Sequence, residues 1–342
     1  MLDTIQTKYV RLEDCMNLRG ISFSAVTMMA GACGFEGEGY RHHFISRLFG
    51  MIWWGVTFVA KTVTAEPRKG FMETVNNDNF TPAKLLPDCI VCGVRQIWHA
   101  VVLNVVGLTN VGIKAQLARG AWQKRRRNFF VSFMAVGASL SDKLTEARTF
   151  AEELGAHLHE FSAKIGIEVN FSCPNVGAKK RPPEEFIAEC HQILDILGEL
   201  ELPLLAKFSV TTEPEVVMKI AENRAVDGIT ITNTVTFGEL PERINWKLLF
   251  GTDVSPLLAK FGFPGGLSGA PLLPLVCEWI AKLRALGFTK HINGGGGVLW
   301  PWDVWKIKRA GADSIALGTI GTLRPFAMPL TLATAHLLFG RR

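Results

Sequence analysis

The sequence has no long apolar run, an odd number of cysteines and very little tyrosine. Its 342 residues include only two tyrosines and seven cysteines. The most apolar stretch, residues 48–60, is shorter than the roughly 20 residues that a membrane-spanning helix needs, so we expect no membrane span. The odd cysteine count and the lack of a secretory apolar segment at the N-terminus argue against a disulfide framework and predict a cytoplasmic protein.

Signals for metal or nucleic acid are also sparse. Cys89 and Cys92 form one Cys-x-x-Cys pair, but no second pair follows at zinc spacing, so we expect no metal. The net charge is +6, thinly spread apart from residues 124–127 (KRRR). That run is typical of a solvated loop edge, with an acidic partner or an anionic membrane surface as the alternative. No basic face with interleaved aromatics accompanies it, so we expect no nucleic-acid partner.

Short apolar runs alternate along the chain with longer helical patterns. The runs, which read as strands buried on both faces, are residues 25–30, 55–62, 129–136, 167–172, 204–210, 228–234, 291–294 and 314–319. The helical patterns between them are residues 142–157, 183–200, 214–225, 272–286 and 302–309. This alternation predicts an α/β fold, a (β/α)8 TIM barrel, forming one domain over residues 1–342. Residues 63–127 are too long for a βα loop and are predicted to form an inserted cap or lid over the C-terminal face.

Glycines follow the last two predicted strands. Residues 294–297 are four glycines, and Gly318-Thr319 ends the eighth run. Barrels often bind phosphate at these two loops, and glycine lets backbone N–H groups approach the anion closely. The pattern favours a phosphate-bearing cofactor, with residues 265–269 (GGLSG) as a further source of donors. Tight turns alone are the alternative.

Polar side chains follow the middle strands. Asn170 and Asn175 flank Cys173, and an asparagine amide both donates and accepts hydrogen bonds, which suits an amide-rich heterocycle. A thiol in such a loop could act as a general base, whereas an unreactive buried cysteine is the alternative. Lys61 and Lys207 end apolar strands, and burying an unpaired ammonium is costly, so we expect each to face an anion.

Together these motifs resemble the dihydroorotate dehydrogenases, FMN-dependent (β/α)8 barrel enzymes of pyrimidine biosynthesis. The resemblance extends from about residue 20 to residue 325. It rests on VAKTVTAEPRKG (59–70), LNVVGLTN (103–110), EVNFSCPNVG (168–177), LLAKFSV (204–210), DGITITNT (227–234), GGLSG (265–269), NGGGGV (293–298) and AGADSIALGT (310–319). It implies an enzyme that oxidises (S)-dihydroorotate to orotate in the de novo synthesis of UMP.

The resemblance also implies roles for individual residues. Cys173 would be the catalytic base that takes the C5 proton of dihydroorotate, while hydride leaves C6 for N5 of FMN. Lys207 would lie near the N1/O2 edge of the flavin and stabilise the reduced anion. The residues implied to hold the substrate are Lys61, Asn104, Gly107, Leu108, Asn170, Asn175, Asn233 and Thr234. The residues implied to bind FMN are Ala30, Lys61, Asn170, Lys207, Gly266, Gly295, Gly296, Gly318 and Thr319.

The kind of base indicates a subclass. With a cysteine rather than a serine at position 173, the chain resembles the soluble class 1 enzymes. Residues 232–235 (TNTV) and the long loop after them are similar to the catalytic subunit of the NAD-linked subclass 1B. This implies a homodimer and a separate electron-transfer subunit with FAD and an iron–sulfur cluster. Two alternatives stay open: a diverged FMN-dependent dihydropyrimidine-type oxidoreductase, and a catalytically inactive barrel subunit. The second is motivated by the first strand, where residues 30–32 (AGA) replace the usual Ala-Ser-Gly.

Overall fold

The computed structural model describes residues 14–172 and 182–340. The strands are β1 (Asp14–Leu18), β2 (Ile21–Ser24), β3 (Val26–Met28), β4 (Ile90–Val91), β5 (Val101–Asn104), β6 (Phe129–Phe133), β7 (Ile165–Asn170), β8 (Leu204–Phe208), β9 (Gly228–Ile231), β10 (Val235–Thr236), β11 (Gly266–Gly269), β12 (His291–Gly295) and β13 (Ser314–Leu317). The α-helices are α1 (Arg41–Leu48), α2 (Val94–His99), α3 (Ile113–Ala118), α4 (Leu140–His157), α5 (Pro183–Gly198), α6 (Pro214–Ala221), α7 (Trp246–Phe250), α8 (Leu258–Phe261), α9 (Leu272–Ala285), α10 (Pro301–Ala310), α11 (Ile320–Leu323) and α12 (Met328–Phe339).

A parallel barrel forms the centre of the molecule. Seven strands pair in the order β3-β13-β12-β9-β8-β7-β6. The eighth position belongs to residues 57–63, where Thr57 bridges Thr27, and Val59 bridges Phe130, each in parallel. This segment joins β3 to β6 and closes the sheet on itself. The predicted (β/α)8 TIM barrel is therefore confirmed, and the run at 55–62 pairs through isolated bridges rather than a continuous ladder.

Continuous burial explains why the strand runs are mainly apolar. Every residue of β6, β7 and β8 is buried. Phe133 on β6 stacks on Phe150 of α4 with ring centroids 4.1 Å apart, so one face of the strand packs on the helical layer. Both faces of these strands are removed from water, which is typical of a parallel sheet covered by helices.

The helices start where local chemistry favours it. Ser139 caps α4: its hydroxyl accepts the Asp142 N–H at 3.1 Å, and the Asp142 carboxylate accepts the Ser139 N–H at 3.0 Å. This reciprocal pair satisfies two N–H groups that a helix end leaves unpaired. Pro183 opens α5 with two glutamates in its first turn, as expected. The five predicted helices are confirmed, with ends shifted by a few residues, as where α6 ends at Ala221.

A second, small sheet lies beside the barrel and was not predicted. It is antiparallel in the order β10-β11-β5-β4. Its buried side chains form a separate apolar cluster that includes Leu103, Val235 and Leu267. Two of its strands come from residues 63–127, and the other two follow β9. The N-terminal hairpin β1–β2 forms a third apolar cluster, in which Phe23 stacks on Phe130 at 4.4 Å.

Candidate active site

A cavity of about 540 Å³ opens where several barrel strands end. Lys61, Asn170, Lys207 and Asn233 reach it from the barrel strands and the turns after them, and Asn104 from the small sheet. The volume falls within the roughly 300–1,000 Å³ that small-molecule and cofactor sites occupy. Both sheets thus contribute polar side chains to one space, which a barrel alone would not enclose.

Two asparagines are fixed against each other on the barrel side. The Asn170 Oδ1 accepts the Asn233 Nδ2 at 2.9 Å and the Ser172 backbone N–H at 3.2 Å. The Asn233 Oδ1 accepts the Thr234 N–H at 2.9 Å. These bonds orient both amide planes and tie together the ends of β7 and β9. A planar ligand with amide groups would therefore meet donors and acceptors in a fixed arrangement.

Lys61 reaches the cavity as a partly buried ammonium. Its Nζ donates to the Thr109 carbonyl at 2.8 Å and lies 4.5 Å from the centroid of the Phe35 ring. Burial lowers the pKa of Lys61 to about 8, and the Glu38 carboxylate opposes that shift. Within residues 14–172 and 182–340 no carboxylate lies within ion-pair distance of Nζ. No protein carboxylate among the described residues therefore supplies the predicted anionic partner.

Lys207 has a protein partner that the sequence did not reveal. Its Nζ lies 3.4 Å from Oε1 of Glu168, and both side chains are almost fully buried. Glu168 precedes Asn170 by two residues on β7, so both point to the same face of the sheet. Lys207 is in register with Asn170 on the neighbouring strand. The three side chains therefore form one polar group inside the barrel mouth.

The glycine run makes a turn that only glycine fits. Gly296 and Gly297 have φ values of +126° and +74°. A Cβ on Gly296 would lie 2.6 Å from the Thr232 Cγ2, and one on Gly297 would lie 2.6 Å from the Gly269 carbonyl oxygen. Both glycines line the cavity, so its wall at this end is backbone, as an anion site requires.

The cavity brings together most of the residues predicted from the sequence. Those lining it are Ala30, Lys61, Asn104, Gly107, Leu108, Asn170, Lys207, Asn233, Thr234, Gly296, Gly318 and Thr319. Gly266 and Gly295 do not line it. A Cβ on Gly295 would meet the Ala316 carbonyl oxygen at 2.2 Å. The predicted base Cys173 and Asn175 lie outside the described residues, in the segment that follows Ser172.

Sequence reasoning missed the start of α1. Tyr40, His42 and His43 line the cavity. The Tyr40 hydroxyl donates to the Gly31 carbonyl at 2.6 Å, and the His43 Nδ1 accepts the Tyr40 N–H at 3.2 Å. Burial lowers the pKa of His43 to about 4, so its imidazole is neutral at pH 7. The only signal was the aromatic and histidine content of this stretch, because no motif marks it.

The fold and the cavity define a (β/α)8 barrel with a polar ligand site at the C-terminal ends of its strands. The family model for dihydroorotate dehydrogenase matches residues 87–329. The chain therefore belongs to the dihydroorotate dehydrogenase family and is an oxidoreductase of that kind, as the sequence resemblance implied. None of the helices within the described residues is long and apolar enough to span a membrane.

Curated relatives share this family at modest identity. The catalytic subunit of dihydroorotate dehydrogenase B (NAD(+)) from Listeria monocytogenes is 28% identical over 318 residues, covering 92% of this chain and 89% of the relative. The same subunit from Latilactobacillus sakei is 26% identical over 320 residues, with the same coverage. The predicted similarity to the NAD-linked catalytic subunit is therefore confirmed at the level of overall sequence.

Solved structures support the fold. Ligand-free dihydroorotate dehydrogenase from Eimeria tenella superposes with a TM-score of 0.64 at 15% identity, covering 98% of this chain and 93% of that one. The same enzyme in complex with ferulenol superposes with a TM-score of 0.64 at 17% identity, covering 95% of this chain and 86% of that one. At this identity the likeness concerns the fold alone.

Proposed function

We propose that the chain is an FMN-dependent dihydroorotate dehydrogenase that oxidises (S)-dihydroorotate to orotate. The observation that carries this is the convergence of Lys61, Lys207 and the Asn170–Asn233 pair on one cavity with a glycine-lined wall. Membership of the family supports the same reaction. Ammonium groups match a substrate carboxylate and a reduced flavin, and the paired amides match the ring of a dihydropyrimidine.

The lining fits FMN. Gly296, Gly318 and Thr319 would hold the phosphate, because the wall there consists of backbone and a Cβ on Gly296 would collide with Thr232. Lys207 would lie at the N1/O2 edge of the ring, and Ala30 and Asn170 would contact the flavin from the ends of the first and fourth barrel strands. Bound FMN supplies a two-electron acceptor for the hydride from C6 of the substrate. Gly266 and Gly295 support this wall from within their strands rather than line it.

The substrate would bind over the paired asparagines. Lys61 would hold the carboxylate, and Asn104, Asn233, Thr234 and Asn175 would bind the ring amides. Backbone groups of Gly107 and Leu108 complete this side, on a loop whose two φ values are +68° and +56°. That loop is held by the buried Asn110, whose Nδ2 donates to the Leu108 carbonyl at 2.6 Å.

Cys173 is the proposed base. It follows directly on Ser172, whose backbone N–H donates to the Asn170 Oδ1 beside the cavity. Its thiolate would take the proton from C5 of dihydroorotate. A cysteine suits this role once its pKa is matched to the working pH.

Residues 63–127 are proposed to act as the cap of a single-domain chain. Asn104, Val106, Gly107 and Leu108 from this excursion line the cavity. The segment is anchored where β5 pairs with β11. Within it, the backbones of Arg68 and Asn110 exchange two hydrogen bonds of 2.9 Å. Such a cap would keep water from the reacting atoms.

The relatives named as the catalytic subunit of an NAD(+)-linked enzyme suggest the assembly. We propose a cytoplasmic homodimer that passes electrons to a separate subunit carrying FAD and an iron–sulfur cluster. Size measurement of the chain alone and with such a subunit tests this.

An anaerobic visible spectrum of the FMN-loaded protein, before and after L-dihydroorotate, tests the reaction. We expect the flavin bands to bleach, and Cys173→Ala to slow bleaching by at least 100-fold, the lower end of what a general base contributes. Cys277→Ala is the matched control, because Cys277 lies on α9 outside the cavity, and burial raises its pKa to about 11. Bands that persist in wild type would favour the dihydropyrimidine-type alternative. A chain that binds no FMN would favour the inactive barrel, and Cys173→Ala at wild-type rate would refute the base.

A further inference from the structure

The reaction described above gives no role to Glu168, the buried carboxylate that partners Lys207. Glu168 is 1% exposed and Lys207 is 6% exposed, with 3.4 Å between Oε1 and Nζ. Lys207 lines the cavity, whereas Glu168 does not. The carboxylate therefore touches the lysine from the side away from the ligand space.

Stability does not account for this carboxylate. A buried ion pair gains little over an apolar pair unless hydrogen bonds satisfy both groups. Within the described residues the Glu168 Oε1 is buried and accepts no hydrogen bond of good geometry. By contrast, Lys143 on α4 donates to both oxygens of Glu189 on α5 at 2.9 Å. The Glu168 pair is the weaker of the two for folding, yet it adjoins the cavity.

We propose that Glu168 is a positioning residue for Lys207 that sets how strongly the bound flavin attracts electrons. This rests on the proposed function. The β7 backbone fixes Glu168, so its carboxylate holds the ammonium at the strand end, beside Asn170. The same negative charge offsets part of the field that Lys207 exerts on the cavity. Negative charge arriving on the flavin is thereby stabilised less than an unpaired ammonium would stabilise it.

The sign of the effect follows from the charges that face the pair. Lys207 contributes a positive charge and Glu168 a negative one, whereas Asn170 and Asn233 are neutral amides. Replacing the carboxylate by an isosteric amide leaves the positive charge without its offset. The reduced flavin is then favoured, and the midpoint potential of the bound flavin rises.

The experiment measures that potential at pH 7 in the FMN-loaded wild type and in Glu168→Gln, by stepwise anaerobic reduction against a redox dye. We expect the equilibrium constant for two-electron reduction to rise about tenfold, which corresponds to about 30 mV. Glu168→Asp keeps the negative charge but shortens the side chain by one methylene, which moves the charge away from Lys207. Its flavin potential should therefore lie between those of wild type and Glu168→Gln. Glu189→Gln removes the carboxylate of the other buried Lys–Glu pair and should leave the potential unchanged.

The outcomes separate the two proposals. A wild-type chain that binds no FMN overturns the proposed function and this inference with it. A wild type that binds FMN and bleaches with dihydroorotate, while Glu168→Gln and Glu168→Asp keep its potential or lower it, overturns only the inference. If Glu168→Gln does not fold, the potential of Glu168→Asp decides: a value above that of wild type supports the inference, and an equal or lower value overturns it. An equal shift in Glu189→Gln would show a general effect of lost charge and would also overturn it.

Discussion

Raising the pH from 7 to 9.5 should weaken orotate binding through the loss of one proton from Lys61. Burial lowers the pKa of this lysine from 10.5 to about 8, with Glu38 opposing the shift. A bound carboxylate stabilises the ammonium and moves its pKa back toward the ordinary value. The ligand therefore binds the protonated protein more tightly, and raising the pH removes that form from the free protein first.

The lowered pKa of Lys61 gives the upper size of this effect. If a bound carboxylate restores the ordinary lysine pKa of 10.5 from the value of about 8 in the free protein, the dissociation constant should rise roughly 30-fold between pH 7 and 9.5. The full difference in affinity between the two protonation states is roughly 300-fold, or about 3 kcal/mol. Lys61→Met removes the charge at every pH, so its affinity should be weak and nearly flat over the same range.

Orotate titrations of the FMN-loaded protein, followed by the change in flavin absorbance at half-unit steps of pH, measure both curves. A wild-type dissociation constant that stays flat from pH 7 to 9.5 would falsify the assignment of the carboxylate to Lys61. A pH slope in Lys61→Met equal to that of wild type would show that another group titrates instead. The first result would also favour a substrate without a carboxylate.

Three further predictions concern the frame of the site. Gly296→Ala should lower the affinity for FMN at least tenfold, because the φ of Gly296 is +126° and the new Cβ would lie 2.6 Å from the Thr232 side chain. Fluorescence titration with FMN measures this. An unchanged affinity would exclude the turn from the phosphate site. Asn110→Ala should lower the free energy of unfolding, measured in urea, by about 2–3 kcal/mol. The reason is that Asn110 is fully buried and holds the Leu108 loop by side-chain hydrogen bonds. A loss below about 0.5 kcal/mol would contradict that role. Burial lowers the pKa of His43 from 6.5 to about 4, so the unfolded chain binds more protons between these values. Stability present above pH 6.5 should fall by roughly 3 kcal/mol as the pH drops to 4, and His43→Gln should lose less over that range.

The barrel could be predicted because its strands are buried on both faces. A strand such as β6, with all five residues buried, is apolar apart from Ser132, and helices alternate with such runs to cover the sheet. The candidate site was accessible for a related reason: parallel strands bring their C-terminal ends to one face, so Asn170, Lys207 and Asn233 had to meet there.

The small sheet could not be predicted in the same way. β4 and β10 have two residues each, and β5 and β11 have four, which is too short for a period-two pattern to show. The pairing of β5 with β11 joins segments more than 150 residues apart, where Asn104 is in register with Gly266. The local sequence does not encode such a contact, so only the family resemblance pointed to Asn104 before the structure placed it at the cavity.

What the sequence determined by itself is the alternation of buried strands and amphipathic helices, and with it the barrel and the ends at which chemistry would lie. Only the tertiary structure decided which of those polar residues face each other. It placed the Glu168 carboxylate 3.4 Å from the Lys207 ammonium and His43 beside Tyr40 in the cavity wall. The physical reason is that burial leaves a pattern along one strand, whereas an ion pair or a lowered pKa depends on register and packing between segments that the chain brings together only on folding.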